Sequence, residues 1–401
     1  MNPTAPLVYA DHNATTPVAP EVVEAMLPWL RSGYFNPSSM YEPALRAAHA
    51  VRDARAAVAA FVGAADPSEI LFTSCATESN NTALFGVAAA NPSRRHIVTS
   101  AVEHPAILEV CRELERRGCE ITRLPVDRQG RIATADYVRA LRPDTLLVTL
   151  MMANNETGVA WPVGDWARIA KATDPSIVFH TDATQAAGKL PIDLSGDLRH
   201  VDLLSFSGHK MNAPKGIGVL YIRRGTALRP YLYGGHQESG RRGGTENVPY
   251  IAGLARACEL AKAHAADLPA LAARRDALEA DLLHLIPYAE VNGRGAPRTP
   301  NTLNLSFHYV EGEAILYALN AQGICASTGS ACSSGSLEPS HVLRAMDIPF
   351  TAMHGSLRLS FGLSNPQSDY DRIRDVLPPI IADLRRLSPY WDQKTNAPRP
   401  R

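Results

Sequence analysis

No charge of either sign predominates in this sequence: 40 Lys and Arg are matched by 40 Asp and Glu among 401 residues. A formal net charge of zero leaves no overall basicity to argue for nucleic acid as a partner. No uninterrupted apolar run is long enough to cross a bilayer. The stretch Met1 to Asp11 lacks the charged segment and apolar core of an export signal. The six cysteines include no Cys-x-x-Cys pair, which removes the usual spacing of a zinc cage. Without an export signal, the expectation is a reducing cytoplasm and free thiols. There is no internal repeat. What is present, 45% apolar and 20% charged residues, is the composition of a globular enzyme. The length suits two or three domains.

Along the chain, Glu21 to Leu30 and the alanine-rich Ala44 to Val62 carry helical spacing, the second closed by Gly63. Short apolar strands then alternate with helices. The strands are expected at Glu69–Thr73, His96–Ser100, Glu120–Leu124, Thr145–Met151, Ile177–His180, Asp202–Phe206 and Gly218–Ile222. The helices between them are expected at Ala76–Ala90, Pro105–Arg117 and Asp165–Lys171. This alternation predicts a mostly parallel sheet covered on both faces, an α/β fold. Long helices at Ile251–His264 and Leu268–Leu285 mark a change of character. Strands at Leu303–Phe307 and Ser356–Phe361, with helices at Glu313–Ala321 and Tyr370–Leu387, predict a smaller α+β domain. Residues 17–260 are expected to form the large domain, and residues 1–16 with 261–390 the small one. Residues 391–401 read as a frayed, proline-containing tail.

In open parallel sheets, ligands sit beyond the carboxyl ends of the strands. Several of the expected strand ends carry polar residues. Ser205-Phe206-Ser207-Gly208-His209-Lys210 puts an amine just past an apolar strand, where it can form a Schiff base or simply be solvated. Thr77 opens a helix, and helix-start N–H groups can hold a phosphate or merely be capped. His104 lies at a strand–helix junction, and Asn155 in a turn. Asp182 and Gln185 follow another buried strand. Pyridoxal phosphate requires a lysine for its aldehyde, a carboxylate for its ring nitrogen and donors for its phosphate. Lys210, Asp182 and the Thr77 helix start supply these three, with His104 able to stack on the ring and Gln185 able to bond its oxygen. Polar strand ends occur in any α/β enzyme, so spacing alone does not prove the assignment.

A second feature is Ser327-Thr328-Gly329-Ser330-Ala331-Cys332-Ser333-Ser334-Gly335-Ser336. A thiol among small residues is a candidate nucleophile, the alternative being an incidental cysteine in a linker. Cys75, Cys111, Cys258 and Cys325 read as core.

Ser-Gly-His-Lys at 207–210, His-Thr-Asp-Ala-Thr-Gln at 180–185, Ala-Thr-Glu-Ser at 76–79, Glu-His-Pro at 103–105 and Asn-Asn-Glu-Thr-Gly at 154–158 resemble cysteine desulfurases. These are class V aminotransferases within pyridoxal-phosphate fold type I. Gly-Ser-Ala-Cys-Ser-Ser-Gly-Ser-Leu-Glu-Pro-Ser-His at 329–341 is similar to the cysteine loop of the NifS/IscS branch. Gly-Gly-His-Gln-Glu at 234–238, Arg-Arg-Gly-Gly-Thr-Glu-Asn at 241–247 and Arg-Ala-Met-Asp-Ile-Pro at 344–349 look closest to the nitrogen-fixation type. Two departures stand out: Tyr34-Phe35-Asn36-Pro37-Ser38 lacks the usual glycine, and Gly362-Leu363-Ser364-Asn365-Pro366 replaces a threonine-rich helix start.

The resemblance implies specific roles. Lys210 binds the cofactor covalently, Asp182 pairs with its ring nitrogen, and His104 stacks on the ring. Gln185 and Asn155 contact its ring side, the Ala76 backbone, Thr77, Ser207 and His209 hold the phosphate, and Gly208 is a further cofactor-binding residue. Thr245 reaches the phosphate of a neighbouring subunit in a homodimer. Arg358, with Asn155, binds the carboxylate of L-cysteine. Lys210 moves a proton from Cα, and the Cys332 thiolate takes the sulfur as a persulfide, with His104 the candidate base. The remaining product is alanine. An iron–sulfur scaffold protein is the implied acceptor, and Cys332 a transient iron–sulfur ligand, the only metal role expected. Neither nucleic acid nor membrane is an expected partner. A nitrogenase-specific role, a housekeeping role in cluster assembly and tRNA thiolation, and a selenocysteine-lyase, aminotransferase or kynureninase relative are the alternatives within the fold. A sulfur-relay scaffold and a cysteine hydrolase are alternatives outside it.

Overall fold

The computed structural model describes residues 6–328, 339–395 and 397–399. The first part of the chain runs β1 (Val8–Tyr9), α1 (Pro20–Arg31), α2 (Glu42–Val62), β2 (Ile70–Thr73), α3 (Ala76–Ala90), β3 (His96–Ser100), α4 (Pro105–Arg116) and β4 (Glu120–Leu124). It continues through α5 (Thr134–Ala140), β5 (Thr145–Thr149), α6 (Val163–Thr173), β6 (Val178–Asp182), β7 (Leu203–Ser207), β8 (Gly218–Ile222) and α7 (Val248–Ala263). Seven of these strands form one sheet in the order β2-β8-β7-β6-β5-β3-β4. From β7 to β4 every pairing is parallel, while β8 runs antiparallel to both β7 and β2. The expected α/β architecture is therefore present, as a mixed sheet closed by two antiparallel pairings at one side.

Helices cover the sheet because their apolar residues recur on one face. In α4 these are Ile107, Val110, Cys111 and Leu114, all buried. In α2 they are Ala44, Ala47, Val51, Ala54 and Val58, all buried, and α2 packs on α7, which also carries α1. Gly253 of α7 permits the close approach of α1: a Cβ there would stand 2.8 Å from Met26 Cγ.

The second part comprises α8 (Leu268–Leu285), β9 (Ala289–Val291), β10 (Thr302–Phe307), α9 (Gly312–Ala321), β11 (Ile324–Cys325), α10 (His341–Ala345), α11 (Phe350–Met353), β12 (Ser356–Ser360), α12 (Gln367–Leu387), β13 (Trp391–Asp392) and β14 (Ala397–Pro398). An antiparallel sheet β12-β10-β9 packs with α8, α9 and α12 around its own apolar cluster. Val8 and Ala10 join that cluster, because β1 pairs in parallel with β11. The opening segment then continues to Asn13, whose N–H donates to Ser360 Oγ at 2.9 Å.

Several expectations are corrected. β6 extends to Asp182 rather than ending at His180, and β7 to Ser207 rather than Phe206. Both polar ends are paired within the sheet, Asp182 with Ser205 and Ser207 with Gly218. Residues 391–395 and 397–399 are not simply frayed. Trp391 is 3% exposed, and its ring lies under the Arg385 guanidinium at 5.0 Å and edge-on to Tyr288. One apolar anchor outweighs the polar composition around it. Cys111 and Cys258 are buried as expected, but Cys75 and Cys325 are only half-buried. Cys332 lies outside the described residues. No described helix is long and apolar enough to cross a membrane.

Candidate active site

The polar strand ends converge on a cavity of about 390 Å³. Lys210, His104, Ala76, Thr77, Asn155, Asp182, Gln185, Ser207, His209 and Arg358 all line it. Ten residues chosen from scattered motifs thus meet in one place.

The acid is held from behind. Asn80 Nδ2 donates to Asp182 Oδ2 at 2.7 Å, and the Thr184 N–H donates to Oδ1 at 2.9 Å. A carboxylate at the end of a buried strand requires such donors. Lys210 stands in the one-turn helix Gly208–Lys210 after β7. Its Nζ donates to the carbonyls of Asn13 at 2.6 Å and Ala14 at 2.7 Å. Gln185 Nε2 donates to the same Asn13 carbonyl and its Oε1 accepts from Lys189 Nζ.

His104 caps α4: its Nδ1 accepts from the Ala106 N–H at 3.1 Å. Burial, with the charges of Lys210 and His341, pushes its pKa down against the opposing pull of Asp182. The ring is thus neutral near pH 7, and the accepting Nδ1 leaves the proton on Nε2. His209 is also neutral, pushed down to about 4 by burial and by Lys210, Lys215 and Lys189.

At the phosphate end, α3 begins at Ala76 with no side-chain cap on its first N–H groups. Ser207 Oγ is buried and has no hydrogen-bond partner among the described residues. Gly218 brings β8 under this helix start: a Cβ there would stand 2.6 Å from the Cys75 carbonyl carbon. A cradle of N–H groups at a helix start, with an unsatisfied hydroxyl, suits an anion. The neighbouring amine and carboxylate suit the aldehyde and ring nitrogen of pyridoxal phosphate, so the residues present fit that cofactor.

At the opposite wall Arg358, from β12, is 3% exposed. Its Nη1 donates to the Asn155 carbonyl at 3.0 Å and its Nη2 to Asp11 Oδ1 at 2.8 Å, leaving Nε buried with no partner among the described residues. A fixed guanidinium facing the cavity suits a carboxylate.

Two expected residues do not line the cavity. Gly208 is turned away: a Cβ there would meet Ala213, Ile217 and Leu254 at 2.9–3.1 Å, and its N–H donates to Ile217. Its small size serves packing rather than cofactor contact. Thr245 is exposed. Conversely Asn13, Cys75 and Asn80 line the cavity without having been singled out for it. Only Asn80 left a signal, an amide on the same face of α3 as Ala76 and Thr77. Among the described residues, no cluster of three or more His, Cys, Asp or Glu could hold a metal ion.

The sequence profile described as Aminotransferase class-V matches residues 8–373. "Cysteine desulfurase 2" of Trichormus variabilis is 51% identical over 390 residues, covering 97% of both chains. "Cysteine desulfurase NifS" of Azotobacter vinelandii is 50% identical over 388 residues, 96% of this chain and 95% of that one. Among solved structures, one described as a NifS-like protein superposes with a TM-score of 0.88 at 36% identity, over 94% of this chain and all of its own. A family match over nearly the whole chain, with relatives about half identical to it, shows that the chain belongs to the class-V aminotransferase family.

Proposed function

We infer that this protein is a pyridoxal-phosphate-dependent cysteine desulfurase, converting L-cysteine to L-alanine and passing the sulfur to an iron–sulfur scaffold protein. The convergence of Lys210, Asp182 and Arg358 on one cavity carries the reading. The relatives' names support the choice of L-cysteine. The likeness to NifS favours service to nitrogenase clusters. A cytoplasmic setting is part of this reading, in keeping with the free state of the described cysteines.

Lys210 would hold the cofactor covalently, Asp182 its ring nitrogen, and Ala76, Thr77, Ser207 and His209 its phosphate. The bound cofactor supplies an electron sink for charge developing at the substrate Cα. Arg358 and Asn155 hold the substrate carboxylate, which fixes Cα near Lys210. Lys210 Nζ takes the Cα proton. Cys332, as thiolate, attacks the substrate sulfur: an S–S bond forms, the substrate C–S bond breaks, and the electron pair stays with the carbon fragment that becomes alanine. His104 presents Nε2–H to the cavity, so it acts first as a hydrogen-bond donor. Service as the thiol's base would require it to give up the Ala106 N–H.

A second copy completes the site in this reading. Thr245 follows a turn in which Glu238 and Ser239 both take positive φ, 50° and 58°. Two such residues in succession are strained and need outside support. Arg55 provides it, clasping both Glu238 oxygens at 2.6 and 2.7 Å. Exposed Tyr34, Met40 and Tyr233 offer apolar surface for the partner. We also assign residues 17–260 and residues 1–16 with 261–390 to separate domains: one apolar cluster draws only on the second set, although the 342–353 segment of that set packs into the cluster of the first.

The test is alanine and sulfide release from L-cysteine. Cys332→Ala should bind cofactor and alter its spectrum with cysteine, yet release neither product. Lys210→Ala should lose the borohydride-trapped adduct. Wild-type turnover in Cys332→Ala would overturn the desulfurase reading while leaving the cofactor assignment standing.

A further inference from the structure

A second cavity, of about 320 Å³, shares Lys210 with the first. Its walls come from the opening segment, the end of α7, the start of α8 and the residues after β12. His12 lies in it, only 3% exposed, yet no described residue hydrogen-bonds its ring. The ring packs against Tyr9 and lies so close to Gly362 that any side chain there would collide with it. A buried imidazole with no polar partner is costly unless something outside the chain satisfies it. Beside it, Lys189 Nζ donates to Gln185 Oε1 at 2.7 Å. Burial and the charges of Lys210 and Arg358 push Lys189 down to about 7. Much of the remaining wall is apolar, including Leu260, Ala261, Leu271 and Leu363.

We propose that this cavity binds a short aliphatic carboxylate, its head between His12 and Lys189 and its chain along Leu260, Leu271 and Leu363. Donors at one end and hydrocarbon along the walls select an acceptor with an apolar tail, and the volume suits a small ligand. The groups facing Lys189 are His12, His209, Lys210 and Arg358, all bases. Glu21, an acid on the cavity wall, is exposed. An incoming carboxylate thus meets a site short of negative charge, and Lys189 takes up a proton from solvent as it binds. Because Lys189 also bonds Gln185 of the cofactor cavity, occupancy should be felt there. None of this depends on the desulfurase reading.

Isothermal titration with isovalerate, on the full chain with and without cofactor, tests it. Wild type should bind saturably in the millimolar range. Lys189→Met and Leu260→Trp should each weaken binding by about ten-fold or more. Leu260→Trp fills the cavity away from the cofactor residues and should keep normal cofactor uptake. Ring ¹⁵N resonances of labelled histidine should include one that moves with isovalerate in wild type and is lost in His12→Phe. Isobutylamine should not bind. Equal affinity in wild type and Leu260→Trp, no saturable heat in wild type, or equal binding of the amine would each overturn the proposal.

Discussion

Asn80 Nδ2 lies 2.7 Å from Asp182 Oδ2, joining the first turns of α3 to the end of β6 behind the cofactor cavity. The amide aims the carboxylate that is to meet the cofactor's ring nitrogen. Asn80→Leu removes that donor while keeping the bulk. A hydrogen bond to a charged group contributes about 1.5–3 kcal/mol, so cofactor affinity should fall by about ten-fold or more. Titration of the apoprotein, followed in the visible band, measures it. Unchanged affinity would make Asn80 a packing residue only.

Composite sites have a stoichiometric signature. A Lys210→Ala subunit paired with a Thr245→Ala subunit yields one site with both defects and one with neither. Mixing the two variants in equal amounts should therefore restore activity, up to about a quarter of the wild-type sites when subunits assort at random. An active monomer in sedimentation, or no recovery on mixing, would remove Thr245 from the site.

Glu103 is fully buried, and burial pushes it up to about 8 even though the Met151 N–H and Ser100 hydroxyl both donate to it. An unfolded glutamate releases its proton near pH 4.3. Between that value and about 8 the folded chain keeps a proton the unfolded chain has lost, so this residue's contribution to stability declines as pH rises, by about 1.4 kcal/mol per pH unit. Glu103→Gln should flatten the fall in unfolding free energy from pH 5 to 8. Chemical denaturation at several pH values checks the slope, and parallel curves for the two proteins would refute the assignment.

Trp391 fills a niche formed by Arg385, Tyr288 and Tyr309. Trp391→Ala should cost about 3–5 kcal/mol, read as a lowered denaturant midpoint. Loss of under about 0.5 kcal/mol, the usual scale for an exposed site, would return this segment to the status of a loose tail.

Residues fixed by local chain geometry were legible in the sequence. Lys210, Asp182, His104 and Thr77 each lie next to a strand end or helix start, and an apolar run beside a polar residue signals that placement. Gly208 misled because a glycine inside a functional motif carries no mark of which way its missing side chain would point. Asn13 carries no mark in the sequence, since its importance arises from contacts with Ser360, Thr302 and Asn155 that only the folded chain creates. α5 left too faint a pattern: Tyr137 is its one buried side chain. Trp391 was a single apolar residue among polar neighbours, below what a periodic signal can register.

The crossing of the opening segment into the second sheet bears on when the site can exist. Asn13 contacts Ser360 across 347 residues, and its carbonyl accepts from Lys210. Arg358 lies equally late in the chain and bonds Asp11. Contacts so distant in sequence close slowly and late. A nascent chain still tethered before β12 has Lys210 but neither the arginine nor the anchor that steadies its carbonyl partner.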